Sequence, residues 1–239
     1  MSGRHGRAWA AVLSAAIACG AWAQALTPAS RVVPDTMAQR ALACTGCHGD
    51  QGRSRPDGYV PRLAGKPAGY LLAQLQSFRD GRRRHEVMAA LLNPLDDAML
   101  AALADHFASL SVPYPAPTLR PPAGPDALRA RQLAEQGDAA RRVPACGDCH
   151  GRALTGVSPQ VPGLLGLPAD YIVGQLGAWR TGHRESRHPD CMAELARRLP
   201  AEDIGRVARW LASQPVPTPS TPAARPPVEG PLPCGGAAR

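Results

Sequence analysis

Two pentapeptides, Cys44-Thr45-Gly46-Cys47-His48 and Cys146-Gly147-Asp148-Cys149-His150, lie 102 residues apart in a 239-residue chain, and each is followed by Gly. They head a wider repeat. Pro61, Leu63, Gly65, Pro67, Tyr70, Gln74, Leu75, Arg79 and Gly81 return 101 residues later as Pro162, Leu164, Gly166, Pro168, Tyr171, Gln175, Leu176, Arg180 and Gly182. Met88, Leu95, Leu100, Ala104 and Ser109 return after 104 residues as Met192, Leu199, Ile204, Ala208 and Ser213. The chain is an internal duplication that kept its landmarks.

Pro-rich stretches bound the two copies. Residues 112–126 and 215–239 are predicted to be extended and unable to form a packed core. The copies then fall at residues 35–111 and 127–214. Both read as helical: Tyr70, Leu71, Gln74, Leu75 and Phe78 share one face of a 3.6-residue repeat, as do Tyr171, Ile172, Gln175, Leu176 and Trp179. A second stripe runs through Leu100, Leu103, Ala104 and Phe107, matched by Ile204, Val207, Ala208 and Leu211. Asp96 and Asp97 open one of these helices and Glu202 and Asp203 the other, where the helix dipole favours negative charge. No run alternates with period two, so no strand is expected.

Aromatic residues make up 4% of the chain, too few for two ordinary cores. That scarcity excludes a large aromatic-rich enzyme and points to small domains filled partly by something other than side chains. The composition also excludes a coiled coil and a multi-span membrane protein.

Cys-x-x-Cys-His supplies that filling. Two thiols three residues apart on one helical turn face the same way and can add to the two vinyl groups of one haem, and the next residue offers an imidazole to the iron. From seven Cys and seven His, one chance match is expected about 0.005 times. A zinc site or a reactive dithiol explains neither the strict His nor the paired methionines. Two covalent haem c groups are therefore expected, on Cys44, Cys47, Cys146 and Cys149, with His48 and His150 as axial ligands. Met88, 40 residues after His48, and Met192, 42 after His150, occupy equivalent positions before the last helix of each copy and are the expected sixth ligands. His85, His188 and His183 lie close by and are the competing choice. An iron with both axial positions filled by protein leaves no open site for a substrate, and points to electron transfer.

These residues together resemble the dihaem class I cytochromes c of the cytochrome c4 family, over residues 35–214. The resemblance implies two tandem all-α cytochrome c domains, joined by a Pro-rich linker, that pass electrons in the periplasm to a terminal oxidase, reductase or dehydrogenase. It also implies that the carbonyls of Pro61 and Pro162 accept the second ring N–H of His48 and His150. Tyr70, Tyr171, Arg79 and Arg180 are assigned either to haem propionates or to packing and surface charge.

Arg4, His5 and Arg7, an apolar run at 8–19 and small-x-small sites ending at Ala23 and Ala25 read as a signal for general secretion, residues 1–25. An uncleaved anchor is the alternative. Loss of Arg4 and Arg7 lowers the net charge from +8 to +6. Export excludes nucleic acid as the partner of Arg82-Arg83-Arg84-His85, which reads as a solvated loop or a docking patch for an acidic protein. Cys191 and Cys234 remain after haem attachment, as a disulfide holding the tail on the second domain, as free thiols or as an intermolecular bond. Cys191 beside Met192 keeps two other readings in view, a sulfur-compound dehydrogenase or peroxidase, alongside a fixed subunit of a membrane complex.

Overall fold

Helices carry nearly all the regular structure. The computed structural model describes residues 33–55, 59–226 and 232–235; residues from Thr36 onward form one unit. The first copy contains α1 (Met37–Arg40), α2 (Leu42–His48), α3 (Ala68–Arg79), α4 (Glu86–Leu92) and α5 (Asp97–Ser109). The second contains α6 (Gly124–Glu135), α7 (Cys146–His150), a two-stranded ribbon of β1 (Gly156–Val157) and β2 (Val161–Pro162), then α8 (Ala169–Thr181), α9 (Cys191–Arg198) and α10 (Ala201–Ser213).

Local chemistry sets the helix ends. The Asp96 carboxylate accepts from Met99 N–H at 2.8 Å and the Asp190 carboxylate from Ala193 N–H at 3.0 Å, satisfying donors that a helix start leaves free. Gly182, at φ 74°, ends α8 in the left-handed region that glycine tolerates best. α6 begins at Gly124, inside the stretch expected to stay extended. Pro125 fits there because the first helical turn needs no N–H from it.

The two predicted stripes are the cores. Leu100, Leu103, Ala104 and Phe107 of α5 are buried against α3, and Ile204, Val207, Ala208 and Leu211 of α10 against α6 and α8. Burying a Leu such as Leu100 or Leu211 stabilises the fold by about 1.5–3 kcal/mol. The ribbon corrects the expectation of no strand. Gly156 pairs with Pro162 and Val157 with Val161, and two residues a side are too few to show an alternation. A Cβ on Gly156 (φ 101°) would lie 2.6 Å from Gly163 N, so only glycine fits.

The tail is also more engaged than its composition suggested. Val216 packs on the second core, Ala223 bridges to Val157, and Cys234 forms a disulfide with Cys191. The segment expected to act as a signal lies outside the described residues. Among the described residues, no single helix is long and apolar enough to cross a membrane.

Candidate functional site

α2 and α7 each present two cysteines on one turn with a histidine at the end. Cys44, Cys47, Cys146 and Cys149 form no disulfide among the described residues. Burial raises the pKa of Cys44 and Cys149 and pushes Cys146 up to about 11. His48 and His150 are 8% and 7% exposed. Their Nδ1 atoms lie 2.8 Å from the Pro61 carbonyl and 2.7 Å from the Pro162 carbonyl. A carbonyl can only accept, so Nδ1 carries the proton and Nε2 is left as a free lone pair. Burial lowers both imidazole pKa values, which keeps the rings neutral and able to ligate.

The turn after each histidine makes this possible. Gly49, at φ 77°, lets the chain double back, and Ser54 N–H donates to the His48 carbonyl at 2.7 Å. A Cβ at Gly49 would lie 2.6 Å from the Ser54 carbonyl oxygen.

Met88 and Met192 sit half-buried near the starts of α4 and α9, and Met192 packs on the second core. The competing histidines have other contacts. His85 caps α4, its Nδ1 accepting from Met88 N–H at 3.4 Å, and meets Phe78 edge-on. His183 Nδ1 pairs with Thr181 Oγ1 at 3.0 Å, while His188 lines a cleft of about 690 Å³ beside Cys191.

Between the copies runs a polar seam of near two-fold symmetry. Arg83 donates to Gln74, Gln175 and the Tyr171 hydroxyl at 2.8, 2.7 and 2.9 Å. Arg184 donates to Gln175, Gln74 and the Tyr70 hydroxyl at 2.8, 2.8 and 3.4 Å. The two arginines pair in antiparallel fashion and stack on Phe78 and Trp179 respectively. Lys66, the only lysine in the chain, crosses the seam to the Gly163 carbonyl at 2.9 Å. Arg83 thus departs from the solvated loop expected of Arg82-Arg83-Arg84: it is 8% exposed.

Tyr70 and Tyr171 belong to this seam. Arg79 instead donates to Asp97 at 2.7 Å and to the Leu95 carbonyl at 3.3 Å, and Arg180 is exposed beside the cleft. Sequence reasoning identified Gln74 and Gln175 as repeated landmarks but missed that they are the shared acceptors. It gave Lys66 no role, although its standing as the sole lysine was the signal available.

The charges test whether haem fits. Arg62, Lys66, Arg83 and Arg184 are all buried, and none pairs with a carboxylate among the described residues. Buried cations without anions are costly, and haem propionates are anions. Two further buried donors, Arg82 Nε and Trp179 Nε1, have no partner among the described residues. With four thiols and two imidazoles carrying free Nε2 atoms, the residues fit two haem c groups. They do not fit zinc: among the described residues no group of three or more His, Cys, Asp or Glu converges.

No protein-family model matches the chain. It is 40% identical over 179 residues to the thiosulfate dehydrogenase electron acceptor of Thiomonas intermedia, covering 74% of this chain and 80% of that protein. Cytochrome c4 of Pseudomonas aeruginosa is 33% identical over 176 residues, or 72% of this chain and 84% of that protein. Among solved structures, the cytochrome c4 of Acidithiobacillus ferrooxidans superposes with a TM-score of 0.61 at 30% identity, covering 72% of this chain and 98% of that one. The thiosulfate dehydrogenase TsdBA of Marichromatium purpuratum superposes with a TM-score of 0.63 at 36% identity over 72% of this chain. This chain spans 36% of that longer one. The chain belongs to the cytochrome c4 family, as an electron carrier with two class I cytochrome domains and two haem c groups.

Proposed function

We propose that this chain is a periplasmic carrier that moves single electrons between respiratory redox proteins, with His48 and Met88 on one iron and His150 and Met192 on the other. The observation that carries the reading is the pair of imidazoles, each held through Nδ1 by a proline carbonyl 2.8 or 2.7 Å away. Each haem c would supply a one-electron couple, whose potential a thioether ligand alongside an imidazole would raise. The chain's own residues do the rest. The cysteines tether, Pro61 and Pro162 fix the ring tautomer, and the buried seam cations balance propionate charge. Exclusion of water from the seam keeps those interactions strong.

The donor we infer is a dehydrogenase that oxidises a sulfur compound, supported by the 40% identity to an acceptor so named; a terminal oxidase or reductase takes the electrons onward. The export reading of residues 1–25 supports the periplasm. The enzymatic alternative loses its main support, because the Cys191 thiol it needed is bonded to Cys234. A redox titration with spectra at each potential tests the ligation, with two low-spin haems per chain and a far-red thioether-to-iron band expected from each. Rapid mixing with a thiosulfate dehydrogenase and thiosulfate tests the partner: reduction of both haems is expected, and no reduction would remove that donor class.

A further inference from the structure

We propose that the C-terminal tail is a clamp that positions Met192 for the second iron, because one stretch of chain grips the backbone on both sides of that haem site. The proposal rests on the His150 and Met192 ligation proposed above. On one side, Ala223 N–H donates to the Gly156 carbonyl at 2.9 Å and Ser158 N–H to the Ala223 carbonyl at 2.8 Å. Thr155 Oγ1 adds a bond to the Thr221 carbonyl at 3.2 Å. These contacts fix β1, and β1 pairs with the β2 residue Pro162 whose carbonyl holds His150. On the other side, Cys234 is bonded to Cys191, the first residue of α9 and the neighbour of Met192. Gly235 N–H donates to the Pro189 carbonyl at 2.8 Å, one residue before the Asp190 cap.

A methionine reaches its metal through a flexible side chain, so its hold depends on how firmly the backbone keeps the sulfur near the iron. The disulfide closes a 43-residue separation and removes conformations in which α9 swings away. The first copy has a partial counterpart. Arg62, next to Pro61, bonds the Val112 and Pro113 carbonyls of the linker, but the chain then runs on to α6 with no covalent tie to α4. The clamp acts on one haem of the two.

Imidazole, which competes with thioether for ferric iron, is the probe. The oxidised holoprotein is titrated while the far-red thioether band and thermal unfolding are followed. In the full-chain double variant Cys191→Ser, Cys234→Ser, one haem is expected to bind imidazole at least tenfold more tightly, with loss of half the far-red band, while the other keeps its wild-type affinity. Unchanged affinity at both haems, whatever happens to the melting temperature, would make the tail a structural brace and overturn the proposal. Equal loosening at both haems would overturn it as well.

Should the double variant fail to fold, the native protein is opened instead. A phosphine and one water convert the disulfide into two thiols and a phosphine oxide; iodoacetamide caps the thiols and ferricyanide reoxidises the haems before the same titration, read in the same way. A far-red band from only one haem, or from none, in the untreated wild type would overturn the two-methionine ligation reading and the clamp with it, a failure distinct from an intact pair of bands with unchanged imidazole affinity.

Discussion

The two copies share their haem-binding landmarks but not their means of staying folded. The first copy has eight buried apolar residues among those described (Ala41, Ala64, Leu71, Leu92, Leu100, Leu103, Ala104 and Phe107), and Cys47 is exposed. The second has nineteen, with Cys146 packed against its core, a tail laid over its ribbon, a disulfide, and a buried ionic network. In that network Arg129 bonds Asp138 at 2.6 Å and Asp203 at 2.8 Å, both carboxylates nearly out of water. In the first copy Arg79 bonds Asp97, whose carboxylate is 72% exposed, so that pair contributes little. The thiols, imidazoles, proline carbonyls and the seam's arginines, glutamines and tyrosines are common to both copies. They mark what electron transfer requires. The unequal cores mark what each domain needs to stand up.

The largest effect should come from removing one haem at a time. Cys44→Ala with Cys47→Ala, and Cys146→Ala with Cys149→Ala, should each lower the haem content from two to one per chain by pyridine haemochrome absorbance. The first pair should also abolish the cooperative unfolding of its domain by circular dichroism, because the smaller core cannot stand without the porphyrin; the second should leave a measurable transition. Equal outcomes would break the comparison. Next in size, Met88→Ala and Met192→Ala should each lower one haem potential by on the order of 0.1 V in spectroelectrochemistry, leaving the other in place.

Arg83→Met and Arg184→Met probe the symmetry of the seam. Each should destabilise the protein by about 1–3 kcal/mol in denaturant unfolding, through loss of bonds to the same pair of glutamines. A lopsided pair of values would show that one copy dominates the interface. The smallest effect is an acid one confined to the second copy. Bonds from Arg129 and Arg141 hold the Asp138 carboxyl at about 2, below its ordinary 3.8. Its contribution is therefore complete above about pH 4 and is lost as the pH falls through 2, where the folded form must also take up the proton. Asp138→Asn should flatten that part of the acid-unfolding curve.

Much of this was legible in one dimension. The stripes on α5 and α10 are buried residue for residue because a 3.6-residue period leaves little freedom in which face turns inward. The His48 and His150 contacts followed from the family pattern and appear as bonds. The seam did not, because amphipathicity distinguishes buried from exposed but not core from interface. Gln74 and Gln175 lie on the apolar faces of their helices, yet their amides serve the partner domain's arginine. Arg83 was hidden in a run of three arginines whose other members, Arg82 and Arg84, are less buried. Pro-rich composition likewise argued against a packed tail, yet Val216, the backbone bridge at Ala223 and the Cys191–Cys234 disulfide seat it.

The seam's pairing of Arg83 with Arg184 has a consequence for ancestry and for engineering. Each half donates an arginine and a glutamine and receives the equivalent pair in return, so the contact is isologous, the geometry by which identical subunits make a closed dimer. Two unlinked copies of a half-length chain could form it with no residue invented for the purpose. Fusion through the linker then freed each half to drift wherever the shared contact did not reach.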